Sequence, residues 1–171
     1  MNKRKKFIDT PSQTAGPFLH IGCTPRIAGI DIFRSELGHT PFEEITDNEA
    51  INIKGKIYDG NNEPIIDAMI ETWQCDANGD YSSNQGFARR LTDFKTGEYQ
   101  LKTIRPGNKI NKDGSFSPSY ITFWIVARGM NRPLITRMYF VENDLKNDLI
   151  LKTLNIEDRL NTLIPYSEDK K

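Results

Sequence analysis

Apolar and polar residues alternate with a period of two through Ile51-Asn52-Ile53-Lys54-Gly55-Lys56-Ile57-Tyr58. A strand sends successive side chains to opposite faces, so this segment is expected to form a half-buried β-strand. Asp59-Gly60-Asn61-Asn62-Glu63-Pro64 breaks the alternation with turn residues, and a second strand is expected from Ile65 to Trp73, with Trp73 as a core aromatic. The Asp76-Ala77-Asn78-Gly79 turn leads into a loop rich in Gly, Ser and Asn between Tyr81 and Gly86. Thr92-Asp93-Phe94-Lys95-Thr96-Gly97 reads as a further reversal ahead of a strand over Glu98 to Ile104. Ile121 to Arg128 and Leu134 to Val141 read as an antiparallel pair joined through Gly129-Met130-Asn131-Arg132-Pro133. Strands at this turn density predict a mostly β chain folded as an antiparallel β-sandwich.

Both ends depart from that pattern. Asn155 is a candidate helix cap with Glu157 and Asp158 behind it, and Ile156, Leu160, Leu163 and Ile164 recur at helical spacing. A short C-terminal helix closed by Pro165 is therefore expected. Near the N-terminus, Pro11, Gly16 and Pro17 exclude a regular helix and favour an extended course. The chain divides on this reading into an extended N-terminal arm over residues 1–18 and a single domain over residues 19–171.

The 171 residues suffice for one domain that buries roughly two thirds of its unfolded surface. No run of ~18 apolar residues is present to span a bilayer, and mean hydropathy is -0.58. No membrane role is expected, and a cytoplasmic location is the default. Formal net charge is zero, with 23 basic and 23 acidic residues dispersed along the chain, so no patch argues for nucleic acid. Cys23 and Cys75 are isolated, and Cys75 reads as a small buried residue at a strand end. Arg132 and Arg137 read as surface residues.

Two segments carry the strongest signal. Glu71-Thr72-Trp73-Gln74-Cys75-Asp76-Ala77-Asn78-Gly79-Asp80-Tyr81 and Thr10-Pro11-Ser12-Gln13-Thr14-Ala15-Gly16-Pro17-Phe18 together resemble signature segments of the intradiol ring-cleaving dioxygenases. Within that family the likeness is greatest to the α subunits of the protocatechuate 3,4-dioxygenase type. Thr103-Ile104-Arg105-Pro106-Gly107 and the stretch from Ala127 to Phe140 follow in the family's order, so the likeness covers roughly residues 10 to 165. What the resemblance implies for metal is an absence. The family's ferric iron is held by two tyrosines and a His-x-His pair, and this chain has only His20 and His39. Tyr81 matches one tyrosine position, but Lys109 follows the Arg105-Pro106-Gly107 turn where the second tyrosine belongs. Tyr120 and Thr122 fall on the His-x-His positions, and Ser117 replaces an arginine of the catalytic subunits. An ammonium has no lone pair to give a metal, and a ferric site needs several hard, anionic donors. No catalytic residue and no metal site are expected in this chain.

The resemblance implies a role beside another chain's site. In the family the α chain's arm reaches the active site of an iron-bearing β subunit, so Thr14, Gly16, Pro17 and Phe18 are implied to border a pocket for an aromatic diol. Arg128 matches an α-subunit arginine that approaches that pocket, and its planar fork suits a carboxylate or an aromatic face. The expected partners are thus a β subunit holding Fe(3+) and an aromatic diol substrate. The alternative is a stand-alone, non-enzymatic β-sandwich with a binding or scaffolding role. A neighbouring reading frame with the two tyrosines and His-x-His at family spacing would separate the two.

Overall fold

The protein is described from a computed structural model. The structure describes residues 13–16, 18–33, 35–46, 49–81, 85–140, 145, 148–154 and 162–166. Its strands are β1 (Ala50–Lys56), β2 (Met69–Trp73), β3 (Phe87–Leu91), β4 (Glu98–Ile104), β5 (Lys109–Ile110), β6 (Phe116–Ser117), β7 (Tyr120–Val126) and β8 (Leu134–Tyr139). A four-stranded sheet runs in the order β3-β2-β7-β8, β1 pairs with β4, and β5 with β6 form a small hairpin. All these pairings are antiparallel. Ala68, Ile70, Ile121, Phe123, Ile125 and Ala127 form the buried core of the larger sheet, and Ile53 and Tyr99 of the β1–β4 sheet pack onto it. This is the antiparallel sandwich that the alternation predicts.

Three features depart from the sequence reading. Strand β3 has no counterpart among the expected strands, because Arg89 and Arg90 mask its alternation. The two arginines point to opposite faces and each fastens a different element. Arg89 donates from Nε to Glu71 Oε1 at 2.8 Å and from Nη1 to the Cys23 carbonyl at 3.0 Å. Arg90 donates from Nε to the Gln100 carbonyl at 3.0 Å and from Nη2 to the His39 carbonyl at 2.7 Å. The second departure is Trp73, expected in the core but 43% exposed. It lies on the Glu71 face of β2, while Ile70 and Thr72 fill the core face. Among the described residues its ring meets those of Tyr81, stacked at 6.4 Å, and Phe87, tilted at 6.2 Å.

The third concerns the ends. Residues 19–23 form a short helix, α1 (Leu19–Cys23), followed by a 3-10 turn over Pro25–Ala28. At the other end the described helix is α2 (Leu149–Leu154), capped by Asp148, whose Oδ1 accepts from the Ile150 and Leu151 amides at 2.8 and 3.0 Å. The expected helix over Asn155, Ile156, Glu157, Asp158 and Leu160 lies outside the described residues, as do residues 1–12, Pro17 and the tail from residue 167.

Candidate functional site

Two turns interlock beneath one end of β7. Asp76 Oδ1 accepts from the Asn78 and Asp80 amides, both at 2.9 Å, and closes the Asp76–Asp80 turn. The Gly107 amide donates to the Asp76 carbonyl at 2.8 Å and locks the Arg105–Lys109 turn against it. Gly79 sits at φ +87, and a Cβ there would meet the Asn108 carbonyl oxygen at 2.2 Å. Gly107 is as closely confined, since a Cβ there would meet the Ala77 carbonyl oxygen at 2.3 Å. Only glycine permits this approach. Gln74, 1% exposed, ties the turns to the core, donating to the Ile104 carbonyl at 2.9 Å and accepting from Thr103 Oγ1 at 2.8 Å. Asn108 Oδ1 accepts from the Ser119 amide at 2.9 Å, which draws in the start of β7.

The interlock brings the four family ligand positions to one place. Lys109 Nζ lies 4.8 Å from the centre of the Tyr81 ring, and the Tyr120 phenol is a neighbour that acts on the Tyr81 phenol. Thr122 follows Tyr120 on the same face of β7, set between Trp73 and Arg137 on the neighbouring strands. Arg137, expected at the surface, instead lies over the Tyr120 ring at 3.9 Å with its side chain only 24% exposed. Its register opposite Thr122 turns it onto this face, where Nη1 donates to Tyr139 Oη at 3.3 Å and lies 3.5 Å from Asp148 Oδ2. Tyr139 Oη in turn donates to Asp148 Oδ2 at 3.2 Å.

The electrostatics follow from burial and these neighbours. Burial, reinforced by the Tyr120 phenol, pushes the Tyr81 phenol well above its ordinary value. Tyr139 is pushed up to about 12, chiefly by burial, with Arg137 opposing the rise. Burial works to lower the Arg137 guanidinium, but Tyr139, Tyr120 and Asp148 outweigh it and raise it. A ferric ion would need a lone-pair donor at each of the four positions, and the Lys109 ammonium offers none. It would also meet two fixed cations, Lys109 and Arg137, where it needs anions. These residues do not fit the iron, and among the described residues no group of three or more His, Cys, Asp or Glu is placed to hold a metal ion.

A second cluster forms at the far end of β7. The Gly129 amide donates to Thr14 Oγ1 at 2.9 Å, and Ala15 makes a parallel bridge to Arg128. The arm thus lies against the strand end that carries Arg128. Arg128 Nε pairs with Asp67 Oδ2, the arginine side chain being 63% exposed and the aspartate 11%. Gly16 accepts from the Leu19 amide at 3.1 Å and starts α1, and Phe18 stands 77% exposed beside it. Arg128, Thr14 and Ala15 are therefore brought together, with Gly16 and Phe18 next along the arm. Arg128 is eight residues from Tyr120, or about 26 Å at ~3.3 Å per residue along a strand, so the two clusters do not share one pocket.

Sequence reasoning passed over Asp67 and Asp148 and read Arg137 as a surface residue, missing the part each of the three plays. Two of these had a signal. Asp148 precedes the apolar run Leu149-Ile150-Leu151, as a helix cap does, and Asp67 is the lone charge in Pro64-Ile65-Ile66-Asp67-Ala68-Met69-Ile70. Arg137 had none, since its place depends on the β7–β8 register.

Residues 36–170 match the Dioxygenase family model. The protocatechuate 3,4-dioxygenase alpha chain of Pseudomonas putida is 35% identical over 165 residues, covering 91% of this chain and 82% of that relative. The chain belongs to the intradiol dioxygenase family. Another member, the protocatechuate 3,4-dioxygenase beta chain of Burkholderia cepacia, is 28% identical over 106 residues, 54% of this chain and 45% of its own length. The family fold is seen directly in the catechol 1,2-dioxygenase of an Acinetobacter species, with a TM-score of 0.56 at 19% identity over 63% of this chain. This chain spans 41% of that solved structure. No helix among the described residues is long and apolar enough to cross a membrane.

Proposed function

We propose that this chain is the α-type subunit of a protocatechuate 3,4-dioxygenase, an intradiol enzyme that opens a catechol ring with O2. On this reading it contributes the wall of a substrate pocket whose ferric iron is held by a β subunit. The observation that carries it is the division along β7. At one end the ligand positions are Tyr81, Lys109, Tyr120 and Thr122, with Lys109 over the Tyr81 ring and Arg137 over the Tyr120 ring, and at the other the arm and Arg128 present polar groups to solvent. A pocket-lining surface so far from the chain's own ligand positions serves a neighbour's site more readily than its own. Similarity over 82% of an α chain favours this over a stand-alone binding or scaffolding sandwich. Residues 1–18 would act as the arm reaching the β subunit and residues 19–171 as the domain that supports it, in the cytoplasm.

Within that assembly the chain's groups bind and orient rather than react. The exposed end of the Arg128 fork would face the ring substituent of the aromatic diol, Thr14 and Gly16 would edge the pocket, and Phe18 would shield it from water. Pro17, which lies outside the described residues, is assigned to the same wall.

Co-expression with an iron-bearing β-type chain tests the reading. The two should purify as one complex, while this chain alone should be colourless, inactive and hold far less than one iron per chain. In the complex, Arg128→Ala and removal of residues 1–18 should lower kcat/KM for protocatechuate without lowering iron content. One charged contact is worth ~1.5 to 3 kcal/mol, or about a 10- to 150-fold loss. A burgundy preparation of the chain alone, or full turnover by both variants, would overturn it.

A further inference from the structure

We propose that Asp67 is the positioning residue that sets the Arg128 guanidinium for a carboxylate on the ring of the catechol substrate; this rests on the function proposed above. The register Met69↔Val126 between β2 and β7, carried two residues outward, places Asp67 opposite Arg128. The backbone therefore fixes the pair before either side chain chooses a rotamer. Asp67 is 8% exposed and Arg128 meets it through Nε alone. An arginine offers a planar anion either its Nε side or its two Nη groups. With Nε occupied by a buried carboxylate, the Nη end is the face left for ligand, and the arginine side chain is 63% exposed. The arm lies against the same strand end, with Ala15 bridged to the Arg128 backbone and Thr14 accepting from the Gly129 amide.

Asp67 also cancels the arginine's net charge, so the site recognises a carboxylate by shape and direction more than by attraction at a distance. A flexible arginine loses rotamer freedom on binding, and an anchor that removes this freedom beforehand lowers the cost. The anchored fork should therefore act on carboxylated catechols and leave the plain ring alone.

The test is a double-mutant cycle in the assembled α/β complex, with protocatechuate and unsubstituted catechol as substrates. Asp67→Ala is expected to lower kcat/KM for protocatechuate by about the factor seen for Arg128→Ala, with the double variant less than about twofold below either single. Catechol turnover should hardly change. Asp67→Asn keeps an acceptor for Nε and should recover most of the loss, which a role in general folding does not predict. In the isolated chain, the Nε–H resonance of Arg128 should be protected from exchange in the parent and in Asp67→Asn and lost in Asp67→Ala. Multiplying effects, equal losses on both substrates, or an unprotected resonance in the parent would each overturn the proposal. Should Asp67→Ala fail to assemble, Asp67→Ser takes its place in the cycle. A silent Arg128→Ala in an iron-loaded complex would instead sink the subunit reading on which the proposal stands.

Discussion

Replacing Arg137 by Met should destabilise the chain by about 2 to 3 kcal/mol, because it strips from a buried carboxylate the one cation paired with it among the described residues. Asp148 is 2% exposed, and Arg137 Nη1 lies 3.5 Å from its Oδ2 and 3.3 Å from the Tyr139 hydroxyl. Removing one member of a fully buried ion pair typically costs ~3 to 5 kcal/mol. Here the contact is long and the arginine side chain is 24% exposed, which lowers the figure. Asp148 also keeps two backbone amides as donors. Loss of the guanidinium from the face of Tyr120 adds about 0.5 to 1 kcal/mol. Urea denaturation with an unchanged m-value measures the sum, and for a chain of this size Tm should fall by roughly 5 to 10 °C. The cause is tested by a second substitution. Asp148→Asn keeps the cap oxygen but removes the stranded charge, so Arg137→Met with Asp148→Asn should cost at least about 1 kcal/mol less than the two singles added together. Strict additivity, or an Arg137→Met variant within about 0.5 kcal/mol of the parent, would refute the idea that Arg137 neutralises the buried Asp148.

Two further outcomes follow from the same geometry. Trp73→Ala should cost about 1 to 2 kcal/mol, below the ~3 to 5 kcal/mol of a core tryptophan, because the ring is already 43% exposed; a larger loss in urea denaturation would place Trp73 in the core after all. In an alkaline titration followed by phenolate absorbance, Tyr81, Tyr99 and Tyr139 should ionise after ordinary tyrosines, burial being the first cause for each. The unfolded chain releases the Tyr139 proton near pH 10 and the folded chain holds it to about 12, so its stabilising contribution is whole below about pH 10 and is lost between those values. Stability that stays flat over that range would contradict the burial of Tyr139.

The sequence by itself determined the class of fold, because strand alternation is a local property written into consecutive residues. Ile51 to Ile57 shows it openly, whereas β3 hides it, since Arg89 and Arg90 are polar on both faces and only their carbonyl and carboxylate partners, distant in sequence, explain why a strand tolerates them. The ligand positions Tyr81, Lys109, Tyr120 and Thr122 were legible as residue types, and the missing histidines already argued against iron. Their meeting point required the interlocked turns at Gly79 and Gly107. Arg137 over Tyr120 and Asp67 against Arg128 were decided only in three dimensions, because cross-strand register couples residues that no local pattern connects. The same holds for Trp73. Its place on β2 could be read from the chain, but which face of that strand would be covered depended on where the other sheet came to lie.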